Sequence, residues 1–219
     1  MPQETLTKPD YAYHSADGGC AHNYLLGPVK KLIKDLAPRG HVLDLGCGNG
    51  YVTNELAKAG NKVSGIDLSA SGIKIAQQAF PGIDFRCGNV EEDLVPGAFP
   101  ADSFEAIVST EVVEHVYQPR QFAKNAFRLL RPGGHLIVST PYHGYLKNLV
   151  LALTGKMDTH FTALWDGGHI KFWSRATLSQ LLTEQGFTGI RFIGVGRVPY
   201  IWKSMILVAR KPPTKSNHK

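Results

Sequence analysis

Two groups of residues in this 219-residue chain have types and spacings that could do chemistry. The first is Gly46, Gly48 and Gly50, which follow Val42, Leu43 and Leu45, with Asp67 further along. A short apolar run ending in glycines reads as a buried strand that turns sharply into a helix, and the missing Cβ atoms let backbone N–H groups approach a ligand. An acid about 20 residues on, at the end of the next strand, can accept both hydroxyls of a ribose, because one helix and one strand fill that interval. Together these residues describe a cradle for a nucleoside.

The second group is Glu111, Glu114 and His115, followed later by His143, His160, Asp166 and His169. Imidazole changes charge near neutral pH and can take a proton from a hydroxyl. His169 is the first candidate base, since Gly167 and Gly168 set it on a sharp turn; His143, His115 and Glu111 are the other catalytic candidates. At positions i, i+3 and i+4 of a starting helix, Glu111, Glu114 and His115 would share one face. There they could hold a divalent ion or form a hydrogen-bonded packing cluster at the helix N-terminus. The packing role is the preferred reading, and no metal ligand is assigned.

These groups need elements to position them. Leu26, Val29, Leu32, Ile33 and Leu36 fall at helical spacing before Pro38 and Gly40, and predict a helix that, with the residues before it, forms an N-terminal lid over the cradle (about 1–40). Strand and helix patterns then alternate regularly: strands over 62–67, 83–86, 102–109, 135–140, 187–195 and 202–211, and helices over 52–59, 69–79, 120–130 and 174–185. That alternation predicts an open, mostly parallel sheet with helices on both faces and ligands at the carboxyl ends of its strands. An apolar insertion (about 142–172) interrupts it, and 212–219 reads as a polar, basic, disordered tail on a single domain, 1–211.

Composition agrees with a sizeable core, at 43% hydrophobic and 19% charged residues. No apolar run reaches the roughly 18 residues of a membrane span, and Glu4, Lys8 and Asp10 at the start do not resemble a signal peptide. Cys20, Cys47 and Cys87 lack metal-ligand spacing and fit a reducing compartment, so a cytoplasmic location is expected. The net charge of +6 is uneven: residues 1–114 carry 9 Lys and Arg against 15 Asp and Glu, and residues 115–219 carry 15 against 3. The basic half is either a solvated surface or one drawn to an anionic membrane or acidic ligand.

Residues 42–50 resemble motif I of the class I S-adenosylmethionine-dependent methyltransferases, and Gly65-Ile66-Asp67-Leu68-Ser69 resembles their ribose-binding strand end. The turn Arg131-Pro132-Gly133-Gly134 and its neighbours are similar to the later motifs, so the resemblance spans about 42–141. It implies a Rossmann-like three-layer α/β sandwich whose seven-stranded, mostly parallel sheet has one antiparallel strand. It also implies S-adenosylmethionine as cofactor, leaving as S-adenosylhomocysteine, lined by Asp44, Gly46, Cys47, Gly48, Asp67, Leu68, Asn89, Val90, Thr110 and Glu111. Related enzymes carry an aspartate where this chain has Asn89, which could still accept a hydrogen bond from adenine or could be a turn residue.

Gly168-His169-Ile170-Lys171-Phe172, with the apolar stretch before it, is similar to the ubiquinone-biosynthesis O-methyltransferases. Those enzymes methylate phenol or catechol groups on polyprenyl quinone precursors and dock on membranes. The resemblance implies O-methylation of a small hydroxylated aromatic or lipophilic acceptor, with residues 145–156, flanked by Lys147 and Lys156, as a peripheral membrane contact. Transfer to N or C of another molecule, and a non-catalytic S-adenosylmethionine-binding module, stay open. A nicotinamide-dependent reductase should show G-x-G-x-x-G, and a nucleic-acid amino-methylase [DN]-P-P-[FY] after the fourth strand, where Thr110 and Glu111 stand instead; neither nucleic acid nor nicotinamide is expected.

Overall fold

The structure is a computed structural model that describes residues 13–19 and 21–214. Cys20, the lid residues 1–12 and the tail residues 215–219 lie outside the described residues, and 212–214 run without regular structure. Seven strands, β1 (His41–Leu45), β2 (Lys62–Asp67), β3 (Asp84–Cys87), β4 (Phe104–Thr110), β5 (Leu130–Pro141), β6 (Thr188–Val195) and β7 (Ser204–Arg210), form one sheet in the order β3-β2-β1-β4-β5-β7-β6. β3, β2, β1, β4 and β5 pair in parallel, and β7 runs antiparallel to both its neighbours. This is the expected α/β sandwich.

Each central strand supplies both faces, because successive side chains point to opposite sides. Val42, Ala106, Val108, Ile137, Ile206 and Val208 pack with α1 (His22–Leu36) and α2 (Tyr51–Lys58) through Leu25, Val29, Ile33, Val52 and Leu56. Their neighbours Leu43, Leu45, Ile107, Leu136, Val138 and Leu207 pack on the other side with α4 (Pro119–Leu129) and α7 (Arg175–Glu184), through Phe122, Leu129, Leu178 and Leu182. α3 (Ala70–Ala79) closes a third cluster, setting Ile73 and Ala76 against Cys47 and Phe85.

Two expectations change here. α1 buries its apolar stripe in the sheet, so it is a layer of the core and not part of a lid. The segment before it covers the glycine turn instead: Asn49 donates its carboxamide N–H groups to the Ser15 and Asp17 carbonyls at 2.8 and 2.9 Å. The expected turn at 131–134 lies inside β5, which starts at Leu130 and slips register against β4 between Phe104 and Ala106. Gly133, with φ +82°, donates to the Lys211 carbonyl across that bulge.

The loops at the carboxyl edge are held from below. Asn125 of α4 is fully buried, donates to the Val90 and Glu92 carbonyls at 2.9 and 2.6 Å, and accepts from the Leu94 amide at 3.2 Å. One carboxamide thus satisfies three backbone groups of the loop after β3. Two short helices, α5 (Tyr145–Leu153) and α6 (Met157–Phe161), make up the insertion between β5 and α7. An open groove of about 590 Å³ lies at the opposite, amino edge of the strands, lined by His41, Lys62, Asp84 and Phe104, far from the glycine turn.

Candidate active site

The turn after β1 is threaded between side chains. Gly46 takes φ +87°, and a Cβ there would meet Val112 at 2.5 Å; a Cβ on Gly48 would meet the Tyr13 hydroxyl at 2.3 Å. Gly46 and Cys47 donate their amides to the Ile66 carbonyl at 2.8 and 3.0 Å, which ties the turn to β2. At the end of β2, the Asp67 carboxylate accepts from the Gly48 amide at 2.9 Å and from the Ser69 amide at 2.8 Å. A carboxylate oxygen can accept more than one hydrogen bond, so an acid at this strand end is of the type that binds ribose hydroxyls. Leu68 beside it is 44% exposed.

Asp44 lies beneath the turn, fully buried. One oxygen accepts the Thr53 hydroxyl at 2.7 Å and the other has no partner. Burial raises this carboxyl from 3.8 to about 7, against the smaller pull of the Thr53 hydrogen bond. Cys47 packs its buried thiol against Gly65, and burial pushes that thiol up as well.

Asn89 and Val90 depart from their expected roles. The Asn89 carboxamide oxygen accepts from the Glu91 amide at 3.0 Å and its nitrogen donates to Glu92 at 3.2 Å, the pattern of a turn residue. Val90 points its side chain into the core. The loop is fixed by Asn125 from within, so the Asn89 side chain is engaged in its own turn and the Val90 side chain in the core.

The chain after β4 is not a helix. Residues 111–118 form successive turns, and Glu111 sits at φ +55°, so Glu111, Glu114 and His115 do not share one helical face. Glu111 swings towards the β5 and β7 ends, where it accepts the Ser139 hydroxyl at 2.8 Å and the Ser204 hydroxyl at 3.1 Å, with the Tyr24 hydroxyl 3.1 Å from Ser204. Burial raises this carboxyl to about 7. Thr110 ends β4 just before it.

Glu114 is fully buried, with the Thr140 hydroxyl near it but no hydrogen bond of good geometry on either carboxylate oxygen, and burial followed by the Glu111 charge raises it well above 4.5. Its backbone carbonyl accepts from the Ile170 and Lys171 amides at 2.9 and 3.0 Å, stitching the insertion to the sheet edge. His115 Nδ1 lies 3.0 and 3.3 Å from the Gly167 and Gly168 carbonyls. Carbonyls only accept, so Nδ1 carries a proton and donates it to them. His169 Nε2 lies 3.9 Å from Glu114, and its ring is 4.9 Å from that of His115. The set that could hold a divalent ion is therefore Glu114, His115 and His169, whose donor atoms all lie within 4.8 Å of one another; Glu111 is replaced by His169.

His143 is buried under the insertion with neither ring nitrogen bonded, stacked on Phe161 and edge-on to Phe172. Burial lowers both His143 and His169 to about 4, leaving them neutral at pH 7 and weak as bases. On α5, Tyr145, Leu146, Leu149, Val150 and Leu153 face solvent, whereas Lys147, expected at the membrane surface, is the buried one. The sequence reading missed Tyr13, Tyr24, Ser139 and Ser204, residues of unremarkable type that only the tertiary fold brings together. Lys147 did leave a signal, as the lone charge within an apolar helical run.

A glycine-rich turn, an acid at the next strand end and an orphaned buried oxygen on Asp44 fit a ligand that carries ribose hydroxyls and a cationic group. Residues 21–191 match the methyltransferase domain family. The chain belongs to that family and is an S-adenosylmethionine-dependent methyltransferase. It is similar to the ubiquinone biosynthesis O-methyltransferase of Coxiella burnetii, at 35% identity over 189 residues that cover 81% of this chain and 76% of the relative. A probable S-adenosylmethionine-dependent methyltransferase of Mycolicibacterium smegmatis is 32% identical over 154 residues, 70% of this chain; the chain spans about half of that relative, 54%. The solved S-adenosylmethionine-dependent methyltransferase of Mesorhizobium loti shares the fold at a TM-score of 0.66 and 19% identity, covering 88% of this chain and 98% of that one.

Asp44 carries a pH signature. The folded protein holds its proton up to about 7, whereas an ordinary aspartate releases it near 3.8, so unfolding free energy falls as pH rises through that window. Asp44→Asn should remove this part of the dependence, measured as the difference in denaturant midpoint between about pH 4.5 and 7.5. The same difference in variant and parent would show that Asp44 is not the group responsible.

Proposed function

We propose that this enzyme transfers a methyl group to a hydroxyl of a small aromatic or lipophilic acceptor. The observation that carries the reading is a juxtaposition: the nucleoside cradle and a group of buried polar side chains, Glu114, Thr140 and His143, with the Phe161 ring stacked on His143, share one carboxyl edge of the sheet. The likeness to a named O-methyltransferase supports oxygen as the atom methylated. Asp44, Gly46, Gly48, Asp67 and Leu68 would hold the cofactor. The chemistry it supplies is an electrophilic methyl on a sulfonium sulfur, which becomes neutral S-adenosylhomocysteine when the acceptor takes that methyl.

The protein's part is positioning and exclusion of water. The Phe161 and Phe172 rings pack about His143 and shape an apolar roof. His143 and His169, neutral at pH 7, orient a hydroxyl by hydrogen bonding more readily than they deprotonate it. Glu114, His115 and His169 could add a divalent ion, a second reading favoured by their converging donor atoms.

Asp67→Ala should weaken S-adenosylmethionine binding roughly ten- to hundredfold by calorimetry, since charge-assisted hydrogen bonds of about 1.5–3 kcal/mol are lost; unchanged affinity would remove the ribose role. Incubation with methyl-labelled cofactor and a panel of catechols, alkylated hydroquinols and amines should label oxygen, with His169→Ala raising KM for the acceptor. Label on nitrogen or carbon alone would overturn the acceptor class.

We further propose that the solvent-facing side of α5 meets a lipid interface. Tyr145, 84% exposed, and Leu153, 78% exposed, stand on a helix too short to cross a bilayer, in the basic half of the chain. The protein should float with anionic vesicles, and Leu149→Glu with Leu153→Glu should leave it at the bottom of the gradient. Equal flotation of both would exclude this face.

A further inference from the structure

α5 is built inside out: its apolar side chains are exposed and its one buried side chain is Lys147, 6% exposed. Removing an ammonium from water is unfavourable unless hydrogen bonds or an opposite charge replace its hydration. Little of that compensation is in place. Lys147 has three N–H donors, and its hydrogen bond among the described residues is a long one, 3.4 Å, to the Lys203 carbonyl.

The charges around it make matters worse on balance. Arg197 beyond β6, His143 after β5 and His160 on α6 all share its field, and none supplies a negative charge. Glu111 at the end of β4 is the acid facing it, and both Glu111 oxygens are already taken by the Ser139 and Ser204 hydroxyls. Burial lowers Lys147 to about 8, still charged for the most part at pH 7. For stability alone, a leucine or methionine would serve better at this position.

Buried polar groups near Lys147 are loosely partnered as well. Neither His143 nitrogen nor the Asn148 carboxamide oxygen makes a hydrogen bond of good geometry, although the two side chains lie close to each other, on the stretch of chain that leads into and through the start of α5. An under-coordinated buried cation near an imidazole that can donate, at the edge of the sheet where the acceptor must lie, describes the seat of a small anion. A phenolic hydroxyl ordinarily ionises near 10, so at pH 7 only about one molecule in a thousand is the anion. A fixed opposite charge within a few ångström lowers such a value by roughly one to three, which raises the anion about 10- to 1000-fold.

We propose that Lys147 is a catalytic residue of the methyl transfer, its ammonium holding the acceptor's hydroxyl oxygen as the anion that attacks. This rests on the O-methyltransferase reading above. The hydroxyl proton is left with the bulk buffer on binding, and the oxygen keeps the electron pair that forms the new O–CH3 bond. α5, anchored by one side chain, can lift to admit the acceptor and settle as that side chain finds its counter-charge.

The test uses 4-nitrocatechol, whose anion absorbs at longer wavelength than its neutral form, added to the full-length protein saturated with S-adenosylhomocysteine. Bound probe should show the anion spectrum with its apparent pKa lowered by about one or more. Lys147→Met should return the bound probe to its free value, Lys147→Arg should retain the lowering, and calorimetry should give all three proteins the same affinity for S-adenosylhomocysteine. Turnover should then fall about a hundredfold in Lys147→Met on unsubstituted catechol and clearly less on the more acidic 4-nitrocatechol. Equal probe pKa in parent and Lys147→Met, or no probe binding to the parent complex, would overturn the assignment even if catechols are O-methylated. A probe bound as the anion through Lys147 but never methylated would overturn the catalytic role and the O-methyl reading together.

Discussion

The site depends on one carboxylate placed between two backbone amides. Asp67 receives the Gly48 N–H from the turn after β1 and the Ser69 N–H at the start of α3, so a single side chain fixes two elements that parallel pairing alone would leave free at their tips. Charge-assisted bonds to backbone amides are short and directional. The group that holds the turn is also the acid at the strand end where the nucleoside is expected, so rigidity and ligand recognition are asked of one side chain. The Ile66 carbonyl reinforces the arrangement by accepting from Gly46 and Cys47.

Around that clamp, burial of charge is the recurring motif. Asp44, Glu111 and Glu114 are acids withdrawn from water, and each is raised by that withdrawal. A domain optimised for stability would not concentrate three such groups along one sheet edge. At the opposite edge, His41 meets Ser64 and Phe104 packs against Phe99, both conventional pairings. Perturbed acids cluster where ligands bind and are spread thinly elsewhere.

The sequence exposed those parts of the fold that periodicity and backbone need determine. Val42, Leu43 and Leu45 can only be a buried strand, and Gly46 marks a left-handed turn that no side chain could occupy beside Val112. Asp67 was legible for the same reason, since its spacing counts one helix and one strand. What stayed hidden depended on dihedral angles and tertiary neighbours. Glu111 takes a left-handed backbone, which breaks the helix that its spacing to Glu114 and His115 suggested and sends it to Ser139 and Ser204. Asn89 satisfies its own loop, a local preference that competes with any ligand role and cannot be weighed without the neighbours Glu91 and Glu92. Lys147 was visible as a charge in an apolar run, but whether such a charge points in or out depends on which face of α5 the sheet receives.

The insertion is fastened at its root. Glu114 takes the amides of Ile170 and Lys171, and His115 takes the carbonyls of Gly167 and Gly168, so the returning chain is stapled to the turn beyond β4 within five residues. Everything between Pro141 and that staple is a closed loop whose ends are pinned by the body of the domain. The entropy of closing such a loop grows only logarithmically with its length. The insertion is thus an exchangeable cassette: it can grow, shrink or be re-sequenced while the glycine turn and Asp67, built from other strands, stay as they are.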